Sequence, residues 1–181
     1  MSDIKLTNEV ISLKDKRDSL VDKVEVLSKV KEFSLPPELE MATLQQVADF
    51  YEVPKKMITN LLESHKDELI SDGHTHMKGN KISSFFPKMK RRGSYTVTSR
   101  NGEKYIYSSN ENKLFPKKAI LRVGMLLGGA SEVAKKIRAQ LWNTEESAVQ
   151  LYVNGLVLCG LSLSLLLMKP FTNQEQVRQG I

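Results

Sequence analysis

The stretch Thr43 to Leu69, TLQQVADFYEVPKKMITNLLESHKDEL, constrains the fold more than any other part of the chain. Thr43, with Gln46 three residues on, makes the T-x-x-Q capping box of a helix start. Val47, Ala48 and Tyr51 follow at helical spacing with Phe50 beside them, and Ala48 is small where two crossing helices must approach. Glu52-Val53 reads as a short turn with one apolar residue aimed at the core. Pro54 suits the first position of a second helix, where its missing N–H is not needed. Met57, Ile58, Leu61 and Leu62 form the buried stripe of that helix. Lys55, Lys56, Thr59, Asn60 and Glu63 are left on its outer face. The pattern predicts a helix-turn-helix. A second helix with cations and amides outward is the arrangement that enters a DNA major groove. The competing reading is an ordinary helical hairpin in an all-α domain.

Charge favours the DNA reading. The chain has 181 residues and a net charge of +6, with a sequence pI of about 9.3. From Lys81 to Lys118 there are ten Lys or Arg and only two acids, Glu103 and Glu111. That block carries the whole excess, and it directly follows the helix-turn-helix. Such cations supply affinity for phosphates but little sequence information. A solvated surface is the alternative. Hydrophobic content is 40%, enough for most of the chain to fold.

The first 34 residues read as a separate dimerising helix. Leu6, Leu13, Leu20 and Leu27 recur every seven residues, and Val10 and Val24 fall at the other seam position, where Arg17 interrupts the row. This is a short coiled-coil pattern. Packing on the chain's own domain is the other possibility, because Ile4, Ile11, Val21, Val26 and Val30 widen the apolar stripe. Ser34-Leu35-Pro36-Pro37 is a stiff linker into the next unit. Cys159 is alone, so no internal disulfide forms, and the N-terminus lacks a signal peptide's apolar core. The expected location is the cytoplasm.

Beyond Leu69 the character changes. Ser71-Asp72-Gly73 is a turn signal. His74 and His76 have no third ligand in evidence, so no metal is expected and both are read as exposed loop residues. Ser94 to Ser108 reads as a β-hairpin around Asn101-Gly102, with Arg100 and Lys104 flanking the turn. A basic-tipped hairpin after a helix-turn-helix resembles a wing. Phe85 to Arg92 mixes aromatics with Lys88, Lys90, Arg91 and Arg92, a further candidate for nucleic-acid contact.

A second helical pair is expected over 115–143. Pro116 opens a helix whose apolar residues include Ala119, Ile120, Val123, Met125, Leu126 and Leu127, and Gly128-Gly129 ends it. Ser131 caps the next helix, with Val133, Ala134, Ile137, Leu141 and Trp142 apolar and Lys135, Lys136 and Arg138 on or near the polar side. Residues 148–168 are uncharged for 21 positions, long enough to span a bilayer, but Gln150 and Asn154 leave a strongly apolar core of only about 14. A buried or oligomerising helix is expected there, with a membrane tail anchor as the alternative. No phosphate loop, paired-acid motif or nucleophile with a partner is present, so neither an enzyme nor a cofactor is expected.

Three segments, ATLQQVADFYEVPKKMI, ELISDG and FPKKAILRVGMLLGGASEVAKKIRAQLWN, occur in that order. Together they resemble a group of small prophage-borne DNA-binding proteins, generally taken as helix-turn-helix regulators or antirepressor-like proteins of the lysogeny region. The likeness covers about Met41 to Asn143. The leucine-heptad helix before it and the apolar tail after it depart from the family pattern. The resemblance implies DNA contacts at Gln45, Gln46, Lys55, Lys56, Thr59 and Asn60.

These readings combine into a mainly α chain with a small β-hairpin. Its expected modules are a coiled-coil helix over 1–34, a winged helix-turn-helix over 41–114, a helical pair over 115–143 and an apolar helix over 148–168. The expected function is a dimeric, sequence-specific regulator of prophage type that binds double-stranded DNA. The alternatives are an antirepressor that binds another phage regulatory protein and a membrane-tethered phage regulator.

Overall fold

The computed structural model describes residues 12–147, apart from residues 87, 93 and 101. The chain divides into two compact units, Met1–Trp142 and Asn143–Ile181. All that follows concerns the first. The expected apolar helix over 148–168 lies outside the described residues, as do Leu6 and Val10. Among the described residues, no helix is long and apolar enough to cross a membrane.

Elements run in the order α1 (Lys14–Leu20), α2 (Glu25–Val30), β1 (Met41–Thr43), α3 (Leu44–Tyr51), α4 (Lys55–Ser64), α5 (Lys66–Ser71) and β2 (Thr75–Lys78). Next come α6 (Gly79–Ser83), β3 (Lys88–Arg92), β4 (Ser94–Thr98), β5 (Lys104–Ser108), β6 (Glu111–Pro116) and α7 (Lys117–Leu126). Residues 132–142 form a last helix, α8, in this unit. The strands make two three-stranded antiparallel sheets, in the orders β1-β6-β2 and β3-β4-β5.

The expectation of a mainly α chain with one small hairpin is therefore corrected to a mixed α/β fold. The physical reason lies in the strands themselves. β1 and β2 have three and four residues, too few to display a period of two. β6 hides its signal differently. Leu114 enters one core cluster and Phe115 the other, so the strand is buried on both faces. It also crosses the division expected between residues 114 and 115. The larger core joins α1 to α4, α7 and α8, while the smaller gathers Ile82, Phe86, Tyr95, Val97, Tyr107 and Leu114 beside the second sheet.

The leucine row is not one continuous outward seam. Leu20 and Leu27 are buried in the chain's own core, Val24 packs against that core, and among the described residues of the row Leu13 alone is exposed. The helix is also broken between Leu20 and Glu25. Arg17, which interrupts the row, explains the geometry. Its guanidinium is buried and donates from Nε and Nη2 to Glu68 at 2.8 and 2.6 Å. Arg122 on α7 donates to Asp72 from Nε at 2.6 Å and to Glu68 from Nη1 at 3.3 Å, and it pairs with Asp18 at 2.7 Å. The network ties α1 to α5 and α7. Arg17 beside Glu68 holds that carboxyl below its usual range, against the opposing effect of burial. For Arg122 burial lowers the pKa, but its hydrogen bonds to the Asp72 and Asp18 carboxylates outweigh that and raise the value.

Arg138 is a further correction. It lies under the surface, not on the polar side of α8, and donates to the carbonyls of Gly124, Leu127 and Gly128 at 2.7, 2.6 and 2.9 Å. Those carbonyls at the end of α7 lack helical partners, and a guanidinium satisfies several at once. His74 is corrected too. It is buried, not a loop residue in solvent, and its Nδ1–H donates to the Leu114 carbonyl at 2.9 Å. His76, on β2, is exposed.

Candidate nucleic-acid interface

The two helices at the centre of the sequence argument are α3 and α4. Thr43 Oγ1 accepts from the Gln46 N–H at 3.4 Å, and the Gln46 side chain accepts from the Thr43 N–H at 2.8 Å, which completes the capping box. Glu52 ends α3 in the left-handed region at φ 56° and reverses the chain into Val53, which is buried. Pro54 is the cap residue just before α4, one position earlier than its composition suggests. From there Ile58 and Leu62 turn into the core. The pair is braced from behind. The Tyr51 hydroxyl donates to the Ile120 carbonyl at 2.7 Å, and the Ser131 hydroxyl donates to the Tyr51 carbonyl at 2.6 Å while capping α8 at the Ala134 N–H. Gly124 is required here, since a Cβ on it would lie 2.5 Å from the Tyr51 hydroxyl.

That bracing leaves one side of α4 to solvent. Lys55, Lys56 and Asn60 are exposed, and among the described residues no hydrogen bond or ion pair occupies their side chains. Thr59 is half-buried, and its hydroxyl donates to the Lys55 carbonyl at 3.1 Å, so its methyl is the more available part. The two glutamines have partners within the chain. Gln46 is committed to the cap, and Gln45, though exposed, donates to Asp49 one turn on. Of the six contacts expected on this pair, Lys55, Lys56 and Asn60 are the ones exposed with no side-chain partner among the described residues.

An open cleft of about 350 Å³ begins at the start of α4. Gln45, Lys55, Ile106 of β5, and Glu111, Asn112 and Lys113 of β6 are among its lining residues. The second sheet therefore faces the same space as the candidate recognition helix. The expected hairpin is its β4–β5 pair, with Thr98 opposite Lys104 and Gly102 in the left-handed region at φ 86°. Lys104 is exposed. The expected basic residues Lys88, Lys90, Arg91 and Arg92 make up β3, which adds a third strand that the sequence did not announce. Arg100, at the tip, is largely exposed. Its backbone N–H donates to Glu38 at 2.6 Å and its guanidinium lies 3.9 Å from the same carboxylate, so the tip is fastened to the chain. Burial pushes the Glu38 carboxyl up, but the Ser99 hydroxyl and the Arg100 N–H outweigh it and hold the group below its usual range.

The sequence places Ile106 in the hairpin and Lys113 in the basic block but names neither as a contact residue. An isoleucine in a strand normally signals core, yet Ile106 is 69% exposed. Only the pairing of β5 with β4 reveals which face it occupies. No family model, curated protein or solved structure matches the chain.

Proposed function

We propose that the chain is a sequence-specific, double-stranded-DNA-binding regulator of the prophage type, in which α4 reads base edges. One observation carries the reading: a braced helix presents Lys55, Lys56 and Asn60 to solvent beside a sheet rich in lysine and arginine. Lysine pairs with guanine acceptors and asparagine with adenine in the major groove. The excess positive charge from Lys81 to Lys118 supports a polyanionic partner. Assembly as a homodimer, which would double the contacts, belongs to the same proposal, though Leu20 and Leu27 are not free to form its seam. Genomic pull-down and sequencing with the purified full chain tests it. A defined enriched site is expected. Recovery of no enriched site, with no duplex binding at low salt, overturns the reading in favour of a protein-binding antirepressor.

A further inference from the structure

The tip of the β4–β5 hairpin and the face of its sheet are different surfaces. Ser99 Oγ and the Arg100 N–H both donate to Glu38 at 2.6 Å, and Ser34 Oγ donates to Glu103 at 3.1 Å. These contacts lace the tip to the segment before β1. The sheet face is open. Ser94, Thr96 and Thr98 are half-buried and Lys104, Ile106 and Ser108 are exposed, whereas Tyr95, Val97 and Tyr107 between them are buried. Register places Thr96 opposite Ile106 and Thr98 opposite Lys104, and on the other side sets Lys90 and Lys88 against the same two threonines.

We propose that this face, and not the hairpin tip, is the second contact with duplex DNA, taking the phosphate backbone beside α4. The proposal rests on the DNA-binding reading above and names the surface that reading leaves open. Charge complementarity selects the occupant. Register puts Lys88, Lys90 and Arg92 on the same face as Thr98, Thr96 and Ser94, with Lys104 beside them and Arg91 on the other side opposite Tyr95, and the three strands carry neither Asp nor Glu. Lysine ammonium groups and threonine or serine hydroxyls are standard donors to phosphate oxygens. Duplex is favoured over a single strand because Tyr95 and Tyr107 are buried beneath the face and the half-buried Tyr105 lies on that same inner side, opposite Val97, so β4 and β5 put no ring on the open face for bases to stack on. Continuity supports the placement, since Ile106 lines the same cleft as Gln45 and Lys55. Ile106 thereby sits on the sheet face where it borders that cleft, and there an apolar side chain can meet deoxyribose or a thymine methyl.

The test uses the full chain with Lys104→Gln, Ile106→Glu, Ile106→Thr, Arg100→Gln and Asn60→Ala, titrated against the pulled-down duplex and a random duplex at several salt concentrations. Ile106→Glu should weaken binding to both duplexes on the order of tenfold, and Lys104→Gln should flatten the salt dependence by about one ion released. Arg100→Gln should stay within about threefold of wild type on the same scale. Ile106→Thr keeps a β-branched strand former and should give a smaller loss with an unchanged melting temperature, so it decides the matter if Ile106→Glu fails to fold. A greater loss from Arg100→Gln than from Lys104→Gln and Ile106→Thr overturns the proposal. So do wild-type affinities for both of those variants while Asn60→Ala abolishes site preference, a result that leaves the DNA-binding reading standing. Preference for a single strand over the duplex overturns the choice of occupant. A wild type that binds no duplex at low salt overturns both readings together.

Discussion

The α3–α4 pair and the β3–β4–β5 sheet are held by different means. Behind the helices lie a large apolar core and a network of buried charges, in which Arg17 and Arg122 share Glu68. Behind the sheet lies a cluster of six buried residues, with polar ties at the rim through Glu38. The difference suits their proposed roles. Reading bases requires side chains held on a rigid helix, whereas holding phosphates tolerates a surface fixed less tightly.

The sharpest way to break that contrast is to strip the helical side of its charge partner. Arg122→Met should cost about 3–5 kcal/mol, because the Asp72 carboxylate stays buried without its cation and Glu68 keeps only one of its two arginines, Arg17. Urea unfolding measures this, and a loss under about 1 kcal/mol would mean that the network behaves as a surface pair. The same network sets an acid limit. The folded Glu68 pKa is depressed, so the stability it contributes is present above its unfolded value of 4.5 and is lost as pH falls through the lower folded value.

Two glycines offer a matched comparison at close approaches. A Cβ on Gly79 would sit 2.1 Å from the Ser108 carbonyl oxygen, a backbone atom of β5. One on Gly124 would meet the Tyr51 ring at 2.5 to 3.0 Å. Each substitution to Ala should destabilise by about 1–3 kcal/mol, with Gly79→Ala at or beyond the upper end because backbone yields less than a side chain. Thermal melts rank the two, and the reverse order would mean that the α6–β5 joint is the softer one.

His74 gives the smallest effect. Burial lowers its pKa against the opposing hydrogen bond to the Leu114 carbonyl. Its neutral form therefore contributes stability that is fully present above the unfolded value of 6.5 and is lost as pH falls from there through the folded value. Stability measured from pH 7.5 down to 5 should decline, and His74→Gln should flatten that slope. An identical slope in the variant would assign the decline to other groups.

Legibility in the sequence follows the same division. The α3–α4 pair is local: Thr43 and Gln46 meet within one turn, and the Ile58 and Leu62 stripe needs no distant partner to be recognised. The hairpin at Gly102 is legible for the same reason. The rest depends on partners far along the chain. Arg17 is 51 residues from Glu68, Arg122 is 50 from Asp72, and each reads as a surface cation when seen alone. β3, Lys-Met-Lys-Arg-Arg, has a single apolar residue and so no alternation to detect. β1 and β6 meet across 75 positions at Met41 and Pro116. Among the candidate contacts, Lys55, Lys56 and Asn60 are exposed on α4 as their spacing suggests. Gln46 caps α3 within one turn, and Arg100 stays exposed while its backbone N–H meets Glu38, a residue 62 positions away.

The central claim is that α4 distinguishes one DNA sequence from another. Asn60→Ala tests it most directly, with affinity measured on the pulled-down duplex and on a random duplex at one salt concentration. Asn60 is exposed on α4, and among the described residues its side chain has no hydrogen-bond partner, so the variant should melt with the wild type. The account predicts a loss of about 1–3 kcal/mol on the selected site and almost none on the random duplex. Equal losses on both, or wild-type affinity for the selected site, would contradict it.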